Sequence, residues 1–228
     1  MKNYLSNNEV LSEHLHFTGK EVIDVGCGNG DIVRWLAARC AHVTGLDSLE
    51  MLEKARSNPP AGAEEYVAGE AQRLPFADKS ADILLYLASF HHVPPAAMAD
   101  AAGECRRVLR QGGRAVFVEP VYRPGAYCEI TRLVEDESEL IRKAHAAIVS
   151  LSILGLTVER EEHFYMERSF EDYVRLIGFF VADAARREII LARARETTER
   201  FSAAAGQDIA AFRYRSLCRL NIMVRGAS

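Results

Sequence analysis

The segment "VIDVGCGNGD", running from Val22 to Asp31, constrains the fold more than any other stretch of this chain. A β-like run ends at Gly26, and glycine recurs at Gly28 and Gly30 before a helical pattern begins. Glycine enters positive φ without a Cβ penalty, so glycines at alternate positions allow a sharp strand-to-helix turn. A strand that feeds a helix in this way is the opening unit of a parallel α/β sheet. The turn also brings backbone N–H groups and the positive helix end to the carboxyl edge of the sheet, where such folds bind ligands.

The first half keeps this rhythm. "EVIDVG" leads into the helical "DIVRWLAARC", in which Ile32, Trp35 and Leu36 share one face and Trp35 is expected in the core. "HVTGLD" reads as a strand, "SLEMLEKARS" as a helix, "AEEYVAG" and "ADILLYLA" as strands, "MADAAGECRRVL" as a helix and "GRAVFVEP" as the fifth strand. Beyond Pro120 the pattern changes. "VYRPGAYCEI" reads as a loop, and Ile130, Leu133, Val134, Leu140, Ile141, Ala144, Ile148 and Leu151 form the apolar stripe of a long amphipathic helix, with Glu135, Glu139 and Lys143 opposite.

"TVEREEHFYMERSF" predicts a sixth strand, Ser169 and Asp172 a capping box for the helix "FEDYVRLIGFF", and "AARREIILARARETTER" a charged helix. The tail "AFRYRSLCRLNIMVR" alternates. Phe212, Tyr214, Cys218, Leu220, Ile222 and Val224 fall on one side, and Arg213, Arg215, Arg219 and Asn221 on the other, as in a last strand with a solvated face. The expectation is a single domain over residues 1–228. It is an α/β, doubly wound, mostly parallel seven-stranded sheet with helices on both faces. The core is 20–120, a helical elaboration covers 121–210 and forms the acceptor-binding part, and the last strand is 211–225.

Composition narrows the partners. With 228 residues, 49% of them apolar, the chain can bury a core without staples, and a net charge of −4 gives no overall pull toward nucleic acid or anionic membrane. Cys27, Cys40, Cys105, Cys128 and Cys218 are scattered without a CxxC pair, which fits a reducing compartment. No signal-peptide pattern opens the sequence and no run approaches the ~20 apolar residues of a membrane span. A cytoplasmic protein with a small-molecule partner is expected, as monomer or homodimer.

The spacing G-x-G-x-G differs from the dinucleotide fingerprint G-x-G-x-x-G. With Asp24 two residues before Gly26, it resembles motif I of the class I S-adenosylmethionine-dependent methyltransferases, whose fold is Rossmann-like. That resemblance implies a cofactor loop of Asp24, Gly26, Cys27, Gly28, Asn29 and Gly30. It places Asp47 on the ribose hydroxyls with Ser48 beside it, and Met51 near the adenine. "GEAQRLPF" is similar to a "GDAxxLPF"-like segment, which assigns Glu70, in place of the usual aspartate, and Ala71 to the adenine edge. "ADILLYLASFHHV" resembles the family's fourth strand with its "LHH"-type end, bringing Leu87 and His92 to the cofactor, and "RRVLRQGGRAVFVEP" resembles the "VLKPGG" turn.

These segments stand in the family's order over residues 20–120, and the likeness is to the ubiquinone and menaquinone biosynthesis group. It implies S-adenosylmethionine as methyl donor, S-adenosylhomocysteine as product and a small-molecule acceptor methylated by in-line displacement. Two other readings stay open. One is a regulatory module that binds the cofactor without methylating. The other is a nicotinamide-dependent dehydrogenase, because an acid about 20 residues past the glycines also suits a dinucleotide ribose.

Candidates for a general base are His91 and His92, at a strand end and able to titrate near neutrality; structural or cofactor-contact roles are the competing reading. Glu119, Tyr122 and Arg123 can face an acceptor from the end of "GRAVFVEP", or Glu119 and Arg123 can pair with each other. Tyr165, Arg168, Tyr214 and Arg215 can line an acceptor pocket, since guanidinium forks suit carboxylate or phosphate; a solvated sheet face explains alternating arginines equally. Cys27 is expected as a small filler of the loop, and His145 and His163 as surface or packing residues. The acids of "VEDESE" fall on a predicted exposed helix face, so no metal is expected.

Overall fold

The computed structural model describes residues 1–4, 6–39, 42–123, 136–170, 184–192 and 212–226. In chain order the elements are β1 (Lys2–Tyr4), α1 (Asn7–His14), β2 (Glu21–Val25), α2 (Asp31–Ala37), β3 (His42–Asp47), α3 (Leu49–Arg56), β4 (Glu64–Ala68) and β5 (Ala81–Leu87). They continue with α4 (Met98–Val108), β6 (Leu109–Pro120), α5 (Ser138–Ser150), β7 (Leu156–Phe170), α6 (Ala184–Ala192) and β8 (Phe212–Arg225). Short 3-10 turns lie at Phe90–His92, Pro95–Ala97 and Leu151–Leu154.

Local chemistry explains the helices. Ser48 caps α3, its Oγ accepting from Met51 N at 3.4 Å, which satisfies one of the donors a helix start leaves unpaired. Along α4 the buried residues Met98, Ala101, Ala102, Cys105 and Val108 recur at helical spacing, and the small ones let the helix lie close on the sheet. In α5 the stripe is Ile141, Ala144 and Ile148, with Leu151 buried in the following turn. The helix begins at Ser138, whose N donates to Asp136 Oδ1 at 3.0 Å, while Ile130, Leu133, Val134 and Glu135 lie outside the described residues. Trp35 is half-buried rather than core: Val33 and Leu36 take the buried positions, Phe17 meets its ring edge-on, and Arg39 covers its face at 4.6 Å.

The strands form one eight-stranded sheet in the order β1-β7-β8-β6-β5-β2-β3-β4, so the expected count of seven is corrected to eight. The added strand is β1, which pairs parallel with β7 (Lys2↔Phe164). Three residues are too short for a periodic signal. The pairs β2/β3, β2/β5, β3/β4 and β5/β6 are also parallel. Leu217 O accepts from Val121 N at 2.8 Å and Arg225 reaches the Leu109 carbonyl, so β8 runs against β6. Strand β3 lies on one side of β2 and β5 on the other, which makes the carboxyl ends of β2 and β5 a switch point where the chain's direction of winding reverses.

Within 121–210 the described residues include a 15-residue strand, β7, so that elaboration is not helical alone. Ser169 lies inside β7, and Asp172 with the helix it was expected to open lies outside the described residues. The expected solvated face of the tail is corrected as well. Arg219 and Asn221 are buried, at 5% and 2% exposure, because residues 216–223 of β8 are covered on both faces in the interior of the sheet. The register between β5 and β6 jumps from Ala81↔Leu109 to Ile83↔Arg114, and Gln111, Gly112 and Gly113 occupy that bulge. Gly112, at φ +74, supplies the left-handed step.

The chain forms two compact units. One comprises 7–119, 142–162 and 219–228; the other comprises 1–6, 120–141 and 163–218. The first holds the main core, in which Tyr86 stacks on Phe117 at 4.9 Å and both meet Phe90 edge-on. In the second, Tyr4 packs edge-on against Phe164 and Ser216 Oγ donates to Met166 O. Among the described residues no helix is long and apolar enough to cross a membrane.

Candidate functional site

The loop after β2 is fastened by β3. Gly26 N and Cys27 N donate to Leu46 O at 2.8 and 3.1 Å, and Gly28 N donates to Asp47 Oδ2 at 2.8 Å. The other carboxylate oxygen of Asp47 accepts from Ser48 N at 2.7 Å. Asp47 thus ties the glycine loop to the start of α3. Hydrogen bonds to a charged acceptor are the stronger kind, which suits a loop of little intrinsic rigidity.

Two glycines show different reasons for lacking a side chain. At Gly26, φ is +78° and a Cβ would stand 2.5 Å from Ser89 Cβ, so the chain at the end of β5 presses directly on the loop. At Gly28, φ is +56° and the nearest atom to a Cβ is Met51 Cε at 3.9 Å, so the space in front of it is open. The first glycine is required by packing. The second leaves a backbone surface that another molecule can approach closely.

Asp24 lies below the loop at 2% exposure, and its Oδ1 has no hydrogen-bond partner among the described residues. Burial, and secondly the neighbouring Asp47 charge, push its carboxyl up to about 7. An orphaned buried carboxylate oxygen is costly and invites a cationic or donor group. Burial, followed by the charges of Asp24 and Asp47, also raises the Cys27 thiol, which suits packing and works against a thiolate nucleophile. Asn29 is exposed and donates to Asp31 Oδ2 at 2.9 Å, while Gly30 precedes α2 at φ +78°. Met51 is half-buried on α3. Leu49, which sequence reasoning passed over, is 67% exposed directly after Ser48. Its only sequence signal was an apolar residue at the first turn of a helix beside Asp47. Glu70 is exposed and accepts from Gln72 Nε2 at 2.7 Å; Ala71 packs half-buried against the core.

At the end of β5 the backbone turns through Ala88, at φ +53°, after the half-buried Leu87. A non-glycine residue in the left-handed region stores strain, and such strain collects where a turn must deliver side chains to a fixed place. Here it delivers Ser89, whose Oγ donates to Val25 O at 2.6 Å, and then His91 and His92. Glu119 holds this turn. Its Oε1 accepts from Ser89 N at 3.2 Å and Phe90 N at 2.9 Å, and its Oε2 lies 2.5 Å from His91 Nδ1. Both side chains of the pair are only 3% exposed. The expectation that Glu119 faces an acceptor from a loop, or pairs with Arg123, is therefore corrected: it sits inside β6, and its acceptor capacity is spent on His91 and the turn. The exposed ring of His92 lies 4.1 Å from that of His91.

A second charged residue reaches the same region from β8. Arg219 Nε donates to Asn221 Oδ1 at 2.8 Å, and Asn221 Nδ2 donates to Glu161 Oε2 at 2.8 Å. Burial pulls the Arg219 guanidinium below its ordinary value, opposed by the charges of Glu161 and Glu119. In the other unit, Tyr122 and Tyr165 are half-buried, Arg123 is exposed, and Arg215 pairs with Glu167 at 3.4 Å. Arg168 and Tyr214 lie on β7 and β8, and only their backbone positions are described. His145 is half-buried on α5 and His163 exposed on β7.

Residues 23–117 match the methyltransferase domain family. Over 108 residues the chain is 36% identical to a demethylmenaquinone methyltransferase of Thermotoga maritima, a match covering 46% of this chain and 45% of that one. It is 42% identical over 108 residues to a ubiquinone/menaquinone biosynthesis C-methyltransferase of Paracoccus denitrificans, covering 44% of this chain and 42% of the relative. The chain thus spans less than half the length of these two relatives. Among solved structures, the YcgJ protein of Bacillus subtilis superposes with a TM-score of 0.64 at 19% identity, over 97% of this chain and 98% of that one. An S-adenosylmethionine-dependent methyltransferase of Methanosarcina mazei gives 0.59 at 16% identity over the full length of both. These two likenesses establish the fold, and over residues 23–117 the chain matches the methyltransferase domain family and is similar in sequence to methyltransferases of quinone biosynthesis.

Proposed function

We propose that this protein moves a methyl group from S-adenosylmethionine to a small-molecule acceptor. The observation that carries the reading is the open face of Gly28, held between Asp47 and Met51 while Gly26 beside it is filled by Ser89. In this reading the Gly26–Gly28 backbone and the orphaned Asp24 oxygen hold the amino-acid end of the cofactor. Asp47 uses its remaining lone pairs on the ribose hydroxyls, and Leu49, Met51, Glu70 and Ala71 meet the adenine. When bound, this cofactor supplies an electrophilic methyl on a sulfonium that is its own leaving group.

The chain's contribution is then to hold, orient and dry the reacting centre. Ser89, locked to Val25 and to Glu119, fixes the turn that bounds the methyl side. Glu119 on Nδ1 fixes the orientation of the His91 ring at this turn, and His91 and His92 stand as the candidates for a base toward an acceptor hydroxyl or carbon acid. In favour of such an acceptor stand relatives named for demethylmenaquinone and for ubiquinone/menaquinone biosynthesis, and one of Mycolicibacterium smegmatis, 38% identical over 104 residues, named for fatty acids.

The test is transfer of radiolabelled methyl from S-adenosylmethionine to a panel of hydroquinones, phenols and fatty acids. Label in at least one acceptor, absent without protein, is expected. Tight cofactor binding with no label in any acceptor would favour a non-methylating module instead.

A further inference from the structure

Among the described residues, Arg219 is a charged group of low exposure that no ion pair explains. Its side chain is buried at 5% exposure, yet no carboxylate oxygen lies within ion-pair distance among the described residues. Its only hydrogen bond there is from Nε to Asn221 Oδ1, and Glu161 anchors that asparagine from behind. The two Nη groups have no hydrogen-bond partner among the described residues. Burying a guanidinium is expensive, and nature usually offsets it with a bidentate carboxylate. Here the nearest acids are otherwise committed: Glu119 to His91 and two backbone N–H groups, Glu161 to Asn221.

Its position follows from the strand pairing. Val121 N donates to Leu217 O, so two residues inward on each strand Arg219 stands level with Glu119. Glu119 touches the turn carrying Ser89 and His91, and Ser89 abuts Gly26 of the glycine loop. Arg219 is therefore one strand away from the proposed methyl-transfer centre, on its carboxyl-edge side. Asn221 orients the guanidinium by its Nε, which leaves the Nη1/Nη2 edge as the donor fork.

We propose that Arg219 is a specificity residue whose Nη edge receives an anionic oxygen of the acceptor, a carboxylate or an ionised phenol or enol. The assignment rests on the methyltransferase reading and narrows its acceptor to an acidic one. Loss of water from a charged group is recovered only by a ligand that pairs with it, so a neutral isostere that leaves the fork unpaired binds more weakly.

Titration calorimetry with matched probes tests this, with S-adenosylhomocysteine at saturation. Benzoate is compared with benzamide, and 4-nitrophenolate with 4-nitroanisole, which separates carboxylate from phenolate recognition. Wild-type protein is expected to bind at least one anion tenfold or more tightly than its neutral partner. Arg219→Met is expected to lose that preference, and Arg219→Lys to keep part of it, both with S-adenosylhomocysteine affinity within about threefold of wild type. The wild-type comparison stands even if a variant fails to fold. Wild-type protein that binds S-adenosylhomocysteine but shows no preference for either anion, or an Arg219→Met protein that keeps it, overturns this inference alone. Wild-type protein that binds no S-adenosylhomocysteine overturns the methyltransferase reading beneath it.

Discussion

Replacing Gly28 and Gly26 in turn by alanine separates a surface kept clear for a ligand from one kept clear for packing. Both residues stand at positive φ, +56° and +78°, so alanine costs about 1–2 kcal/mol at either position. Part of that is offset by about 0.4–1 kcal/mol, because alanine lowers the entropy of the unfolded chain. At Gly28 little else is lost, since the new methyl meets only Met51 Cε at 3.9 Å, and net destabilisation is about 1 kcal/mol. At Gly26 the methyl falls 2.5 Å from Ser89 Cβ, a side chain pinned at both ends, and overpacking adds about 1–3 kcal/mol.

Urea denaturation therefore ranks Gly26→Ala as clearly the less stable. Calorimetry with S-adenosylhomocysteine gives the decisive result. Gly28→Ala, folded and nearly as stable as wild type, is expected to bind at least tenfold more weakly, because its methyl occupies space that the cofactor backbone needs. A Gly28→Ala protein with unchanged affinity would show that the open face serves no ligand and refute the reasoning.

Asp47→Ala removes a charged acceptor for the ribose hydroxyls and the clamp on Gly28 N and Ser48 N; cofactor binding should weaken by about 1.5–3 kcal/mol, and an unchanged dissociation constant in a folded variant would misplace the ribose. The Asp24 carboxyl, pushed up from 3.8 to about 7, holds a proton in the folded chain that the unfolded chain has already released. Stability should fall as pH rises through that window, and Asp24→Asn should flatten the slope; an unaltered slope in urea titrations across the window would contradict the buried, unpaired carboxyl. Arg107 joins Glu104 and Asp78 and caps the carbonyls of Phe76 and Leu74, so Arg107→Ala should cost about 2 kcal/mol after allowance for its partial exposure. Arg107→Lys should recover less than half of it, because an ammonium cannot span those acceptors, and full recovery would assign the effect to charge alone.

The first half of the fold was legible because its elements carry strong periodic patterns and its glycine loop permits few alternatives. Asp24, Gly28 and Asp47 could be assigned together because β2 and β3 are sequence neighbours that pair in register. Ser89 against Gly26 was not, since that contact depends on β5 crossing to the far side of β2, some 60 residues along. Glu119 misled for a related reason. Its partner, His91, lies 28 residues earlier on another strand's end, whereas Arg123 is merely near in sequence. Alternating arginines in the tail suggested a wet face, but alternation fixes only which residues share a side; what packs on that face of the sheet decides whether it is wet. Residues 216–223 of β8 are buried on both sides of the strand, so Arg219 and Asn221 lie inside.

The central claim is that the loop from Gly26 to Gly30, with Asp24 and Asp47, holds S-adenosylmethionine. Isothermal titration of wild-type protein with S-adenosylhomocysteine measures it most directly. One molecule per chain is predicted to bind saturably at micromolar concentration, with NADH giving no heat under the same conditions. No binding up to high micromolar S-adenosylhomocysteine, or saturation by NADH in its place, would contradict the account.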